Sequence, residues 1–158
     1  MKQNITLSYS INRSFIKSDI YIFEALGYNV QRILSRPHKS TIYFIWNRTQ
    51  ELLKSLLYIP SSKIVVSWFN DYHAFIPIIF SKLFLKKSVI IVGGYDAIVD
   101  KENSHGLFFK KGIRSTLAKI NYSLADELWV VHKSLEIGCS YAREKFNIIS
   151  GIRSFLVN

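Results

Sequence analysis

The chain has 158 residues, 49% of them apolar, with 21 Lys and Arg against 11 Asp and Glu and a formal charge of +10. That length suits one domain with a core needing neither disulfide nor metal, and the apolar content excludes intrinsic disorder. Cys139 is the single cysteine, which excludes an internal disulfide and a cysteine zinc site and fits a reducing cytosol.

Ile5 to Tyr9 is a short β-prone run. Residues 14 to 26 switch to helical period, with Ile16, Ile20, Phe23 and Leu26 on one stripe and Gly27 as the stop. Tyr28 to Leu34 returns to strand. Thr41 to Tyr58 reads as a helix with Ile42, Trp46, Thr49, Leu53 and Leu56 near one face, ended by Pro60. Lys63 to Trp68 is a compact strand, and Asp71 can cap a following helix that is apolar nearly all round and therefore buried. Pro77 is expected to kink that helix or sit in its first turns.

Ser88 to Val92 is a β-branched strand halted by Gly93 and Gly94, and a long loop follows as a candidate functional segment. Ile113, Leu117, Ile120 and Leu124 form the next helical stripe. Leu128 to Val131 reads as a strand, Ser134 to Phe146 as a helix and Ser154 to Val157 as a last strand. Greasy strands alternating with helices predict an α/β fold: one doubly wound, Rossmann-like parallel sheet, covered by helices on both faces.

The N-terminus has no apolar core of a signal peptide. The longest apolar stretch, Ala74 to Leu85, is about 12 residues, short of the roughly 20 a spanning helix needs. Mean hydropathy of +0.13 is nevertheless high for a small domain, so apolar surface is expected to meet another domain or a membrane. The histidines (His38, His73, His105, His132) have neither HExxH nor H-x3-H spacing, and no metal or cofactor is expected.

Ligands of such sheets bind beyond the carboxyl ends of the strands, near the point where strand order reverses. The segments there are Ser10 to Phe15, Trp68 to His73, Gly93 to Asp96, and His132 to Ser134. Each has two readings. Gly93 and Gly94 turn the chain or open a site; Asp96 caps a turn or binds substrate hydroxyls. His73 packs at a helix start or acts as a general acid/base, while Asp71 reads as a helix cap. Neither GxGxxG nor GxxxxGK[ST] is present. Lys82, Lys86 and Lys87, and Lys110, Lys111, Arg114 and Lys119 beside Phe108 and Phe109, suit an anionic membrane surface or form a plain solvated basic face. No nucleic-acid motif accompanies them, and no nucleic-acid partner is expected.

The order and spacing of Ser14 to Asp19, Glu24 to Val30, Trp68 to His73, Val92 to Asp96 and Ala125 to Val131 resemble the N-terminal domain of GT-B glycosyltransferases, the family 4-like N-terminal domain. The resemblance runs over almost the whole chain. It implies the acceptor-side half, residues 1–158, of a retaining, metal-independent transferase whose C-terminal half, absent from this chain, holds most of the nucleotide-sugar donor. By the same resemblance Ser10, Asn12, Arg13 and Ser14 lie by the donor diphosphate. Trp68, Asn70, Tyr72, Gly93, Gly94 and Tyr95 line the acceptor side, with His73 and Asp96 as the catalytic candidates. The acceptor would be a lipid-linked or envelope glycan at the cytoplasmic membrane face, with the protein cytoplasmic or peripheral on that face. The sequence departs from the family in lacking a Gly-Gly pair in its first loop and in carrying His132 where serine is common. The family's E-x7-E pair belongs to the other half; Glu136 and Glu144 share its spacing but read as a solvated helix surface. The alternative is a stand-alone flavodoxin-like binding or adaptor module docking to an anionic membrane or a protein partner.

Overall fold

The expected strands up to Val130 all form. The computed structural model describes residues 2–37, 40–97, 106–109, 112–132 and 134–135, with the backbone of 146–148. In chain order its elements are β1 (Asn4–Tyr9), α1 (Ser14–Ala25), β2 (Asn29–Leu34), α2 (Thr41–Tyr58), β3 (Ser62–Trp68), α3 (Tyr72–Leu83), β4 (Lys87–Val92), α4 (Ile113–Leu124), β5 (Glu127–Val130) and β6 (Phe146–Ile148). The strands make one parallel sheet in the order β2-β1-β3-β4-β5-β6. Order reverses between β1 and β3, so their following loops part and leave a crevice.

Successive residues of a strand point to opposite faces. On one face Ile5, Leu7, Val66 and Ile91 pack under Ile16, Ile20 and Phe23 of α1. On the other, Ile90, Val92 and Leu128 pack under Ala74 and Ile78 of α3 and Tyr122 of α4. The fold is therefore α/β and Rossmann-like, with helices on both faces. Pro77 sits inside α3 without ending it. A proline lacks the N–H that would bond the carbonyl four residues back. That carbonyl, of His73, instead accepts from Ser8 Oγ at 2.8 Å.

Two helices turn apolar stripes outward, and one expected helix end is corrected. The apolar stripe of α2 forms but faces outward, and the buried residues of this helix are Glu51 and Ser55. The reason lies in the sheet below it, where Thr6 and Ser62 are buried and share a 2.6 Å hydrogen bond. A polar floor selects the polar side of the helix. Arg48 reaches inward to Ser35 Oγ at 2.6 Å, to the Tyr72 carbonyl at 2.7 Å and to Glu51 at 2.5 Å.

In α4 the buried residues are Ser115, Ala118, Asn121 and Tyr122, while Ile113 and Ile120 of the expected stripe are exposed. Polar bonds set its rotation: Asn121 Nδ2 donates to Asn70 Oδ1 at 2.9 Å and Tyr122 Oη to the Asp96 carbonyl at 3.0 Å. Finally, Phe146 opens strand β6 rather than closing a helix, pairing with Leu128 and satisfying the backbone of the β5 edge. The final strand expected at Ser154 to Val157 lies outside the described residues.

Candidate functional site

The crevice between the β1 and β3 loops is a pocket of about 220 Å³ lined by Ser10, Ile11, Phe69, Asn70, Asp71, His73, Tyr95 and Asp96. It stands at the carboxyl ends of β1, β3 and β4. Six residues singled out from the sequence (Ser10, Asn70, Asp71, His73, Tyr95 and Asp96) therefore share its wall.

Asp96 is the organiser of this wall. Its Oδ1 accepts from the backbone N–H of Gly93 at 3.1 Å and Gly94 at 3.0 Å, and its Oδ2 from Asn70 N at 3.0 Å. One buried carboxylate thus ties the loop after β3 to the loop after β4. Burial pushes its pKa up to about 6, against the backbone donors that pull it down. Asn70 is equally committed, donating to the Ala118 carbonyl at 2.7 Å while accepting from Asn121.

Two glycines are required here for separate reasons. A Cβ on Gly93 would lie 2.2 Å from the Phe69 ring, so glycine permits that close approach. Gly94 holds φ +142°, which side-chain-bearing residues rarely adopt. Phe69 itself has φ 66° and turns its ring onto Phe15 and Trp68.

His73 is buried at the start of α3, and its Nε2 lies 2.7 Å from the Trp68 carbonyl. A carbonyl only accepts, so Nε2 carries the proton and Nδ1 of the neutral ring is an acceptor. Burial lowers its pKa, which keeps it neutral near pH 7. Such a ring can receive a hydrogen bond from a hydroxyl more readily than it can deliver a proton. Asp71 caps α3 by accepting from Tyr72 N at 2.8 Å and takes a two-point pair from Arg114, whose Nε donates at 2.7 Å. Burial alone would raise Asp71, but these donors hold it below the usual carboxylate range. The Arg114 guanidinium also lies 5.4 Å from the centre of the Tyr95 ring.

The remaining residues are placed elsewhere. Trp68 is buried toward α1, with Nε1 donating to Asp19 at 2.6 Å. Tyr72 stacks edge-on against Phe44. Asn12, Arg13 and Ser14 are exposed where α1 begins, and no side chain caps that helix end. Lys87 opens β4 and pairs with Glu127, whereas Arg114 lies beyond the opposite end of the same strand. Lys86 stays beside Lys87. Lys110, Lys111, Glu136 and Glu144 lie outside the described residues. His132 bonds Ser134 Oγ at 2.8 Å.

Sequence reasoning missed the Asp71–Arg114 pair, since partners 43 residues apart leave no local pattern. It also missed Asp19, for which a signal existed: a carboxylate on the stripe of Ile16, Ile20 and Phe23 needs a buried partner. Among the described residues no three His, Cys, Asp or Glu side chains converge as a metal site, and no described helix is long and apolar enough to cross a membrane. No protein-family model matches this sequence, and no curated protein matches it significantly.

Proposed function

We propose that this chain is the acceptor-side half of a retaining glycosyltransferase that moves a hexose from a nucleotide-sugar donor to a lipid-linked or envelope glycan at the cytoplasmic face of a membrane. The observation that carries the reading is the small crevice at the point of strand reversal, largely apolar with a few convergent polar groups, where a hydroxyl-bearing ligand would meet His73 and Tyr95. A neutral His73 supports orientation of an acceptor hydroxyl. The uncapped N–H groups at the start of α1, with Arg13 beside them, suit the negative charge of a leaving diphosphate. In this reading a second domain provides most of the donor site and the electrostatic stabilisation of an oxocarbenium-like transition state.

The test is a transfer assay with radiolabelled nucleotide hexoses and a membrane-lipid extract as acceptor. The 158-residue chain is expected to give no turnover alone, and the complete cellular product to give transfer. Ordinary enzyme rates from the chain alone would overturn the half-site reading, and no transfer by the cellular product with any nucleotide hexose would overturn the glycosyltransferase reading.

One observation favours a second reading. The order β2-β1-β3-β4-β5 is that of flavodoxin-like sheets, which serve as single-domain binding modules. In that case the same crevice binds a small ligand without group transfer.

A further inference from the structure

Helix α2 is inverted relative to an ordinary surface helix, which buries its apolar side. Ile42 is 80% exposed, Tyr43 66%, Trp46 58%, Leu53 50% and Leu57 72%. Every fully exposed position along this 18-residue helix is uncharged, while its charged residues Arg48, Glu51 and Lys54 lie inward or at the margin. Isolated exposed leucines are normal on a protein; a continuous apolar face about 27 Å long marks a docking surface.

Charge identifies the occupant. Among the described residues Asp19, Glu51 and Asp96 are buried, and Glu24, Asp71, Asp126 and Glu127 each face a cation. No exposed carboxylate there stands without a cationic partner, whereas Lys17, Arg36, Lys54 and Lys86 pair with no carboxylate among those residues. Arg36 and Lys54 line a groove of about 680 Å³ that Tyr43 and Trp46 also border, so cations stand at the rim of the apolar face. Two bodies of +10 repel one another, but each is drawn to an anionic surface. Tyrosine and tryptophan at the rim suit the headgroup level of a bilayer.

We infer that the outer face of α2 lies in the plane of an anionic lipid surface, its leucines and isoleucines among the acyl chains and Arg36 and Lys54 at the phosphates. This surface is distinct from the crevice and from the Lys86, Lys87 and Arg114 positions. The inference rests on the membrane-face part of the proposed function and not on sugar transfer. Vesicle binding without transfer leaves docking intact, and transfer without vesicle binding removes docking alone.

The experiment is sedimentation of the chain with vesicles of phosphatidylglycerol and phosphatidylcholine, or of phosphatidylcholine alone, with tryptophan emission recorded. Trp68 and Trp129 are buried, so the response belongs to Trp46. The anionic vesicles are expected to bind the chain and shift its emission to the blue, at least about tenfold more tightly than neutral ones and more weakly in roughly 0.5 M salt. Leu53→Glu with Leu57→Glu is expected to weaken binding at least about tenfold with an unchanged circular dichroism spectrum; Trp46→Glu is the second variant if that pair does not fold. Failure to bind anionic vesicles, or binding that these substitutions leave untouched, would overturn the inference. So would a stable dimer in lipid-free solution that they dissociate, which would assign the face to a second copy.

Discussion

Asp19 is a carboxylate held among isoleucine and phenylalanine with one neutral donor, the Trp68 indole. Burial raises its pKa from 3.8 to about 6, with the indole N–H opposing. The folded chain therefore keeps a proton that the unfolded chain has released between those values. Its stabilising contribution is complete below about 3.8 and is lost as pH rises through about 6. Asp96 acts in the same direction, while His73, with its lowered pKa, acts oppositely: its contribution is present above 6.5 and is lost as pH falls through the lower folded value. Asp19→Asn keeps an acceptor for the indole and removes the titration. Urea unfolding should find this variant more stable than the parent by about 1 kcal/mol near pH 7.5, roughly 2–4 °C in Tm, with no such gain near pH 4. An equal effect at both pH values would show that packing, not charge, governs this position.

At the scale of the element, α2 separates two things that periodicity combines. The spacing of Ile42, Trp46, Leu53 and Leu56 identifies a helix and an apolar side, but it carries no direction. Direction came from what lies beneath: Thr6, Ser35 and Ser62 make a polar floor, over which Arg48 reaches Ser35 and Glu51. Burial pushes Glu51 up to about 7, against the Ser35 hydroxyl and the Arg48 guanidinium. Removing one member of such a pair strands the other, whereas removing both together is far milder. Arg48→Met is expected to cost about 3 kcal/mol and Arg48→Met with Glu51→Leu to recover most of it, read from chemical denaturation of the four combinations. A double variant no better than the single would mean that the pair fixes α2 in place rather than offsetting its own burial.

For the molecule as a whole, the sheet was legible because β-branched runs such as Ser88 to Val92 stop at glycines and alternate with helical stripes. The position of the crevice was legible too, since topology alone sends ligands to the ends of β1, β3 and β4. What each residue does there was not. Trp68 and Asp96 both stand where a strand gives way to its loop, yet Trp68 is committed to Asp19 and Asp96 to three backbone amides. Those commitments depend on partners tens of residues away. Strand β6 was hidden for a related reason: Phe146 to Ile148 is only three residues long, and its pairing with β5 is a tertiary event.

The most direct test of the acceptor-side account is a titration of the ¹⁵N-labelled chain, followed by amide spectra, with soluble glycans, short prenyl-diphosphate sugars and, separately, nucleotide hexoses. The account predicts that glycan or prenyl-linked ligands shift the amides of Gly94, Tyr95 and the start of α3, and that nucleotide hexoses alone shift them little. Shifts from nucleotide hexoses with none from any glycan would contradict it and assign the crevice to a nucleotide.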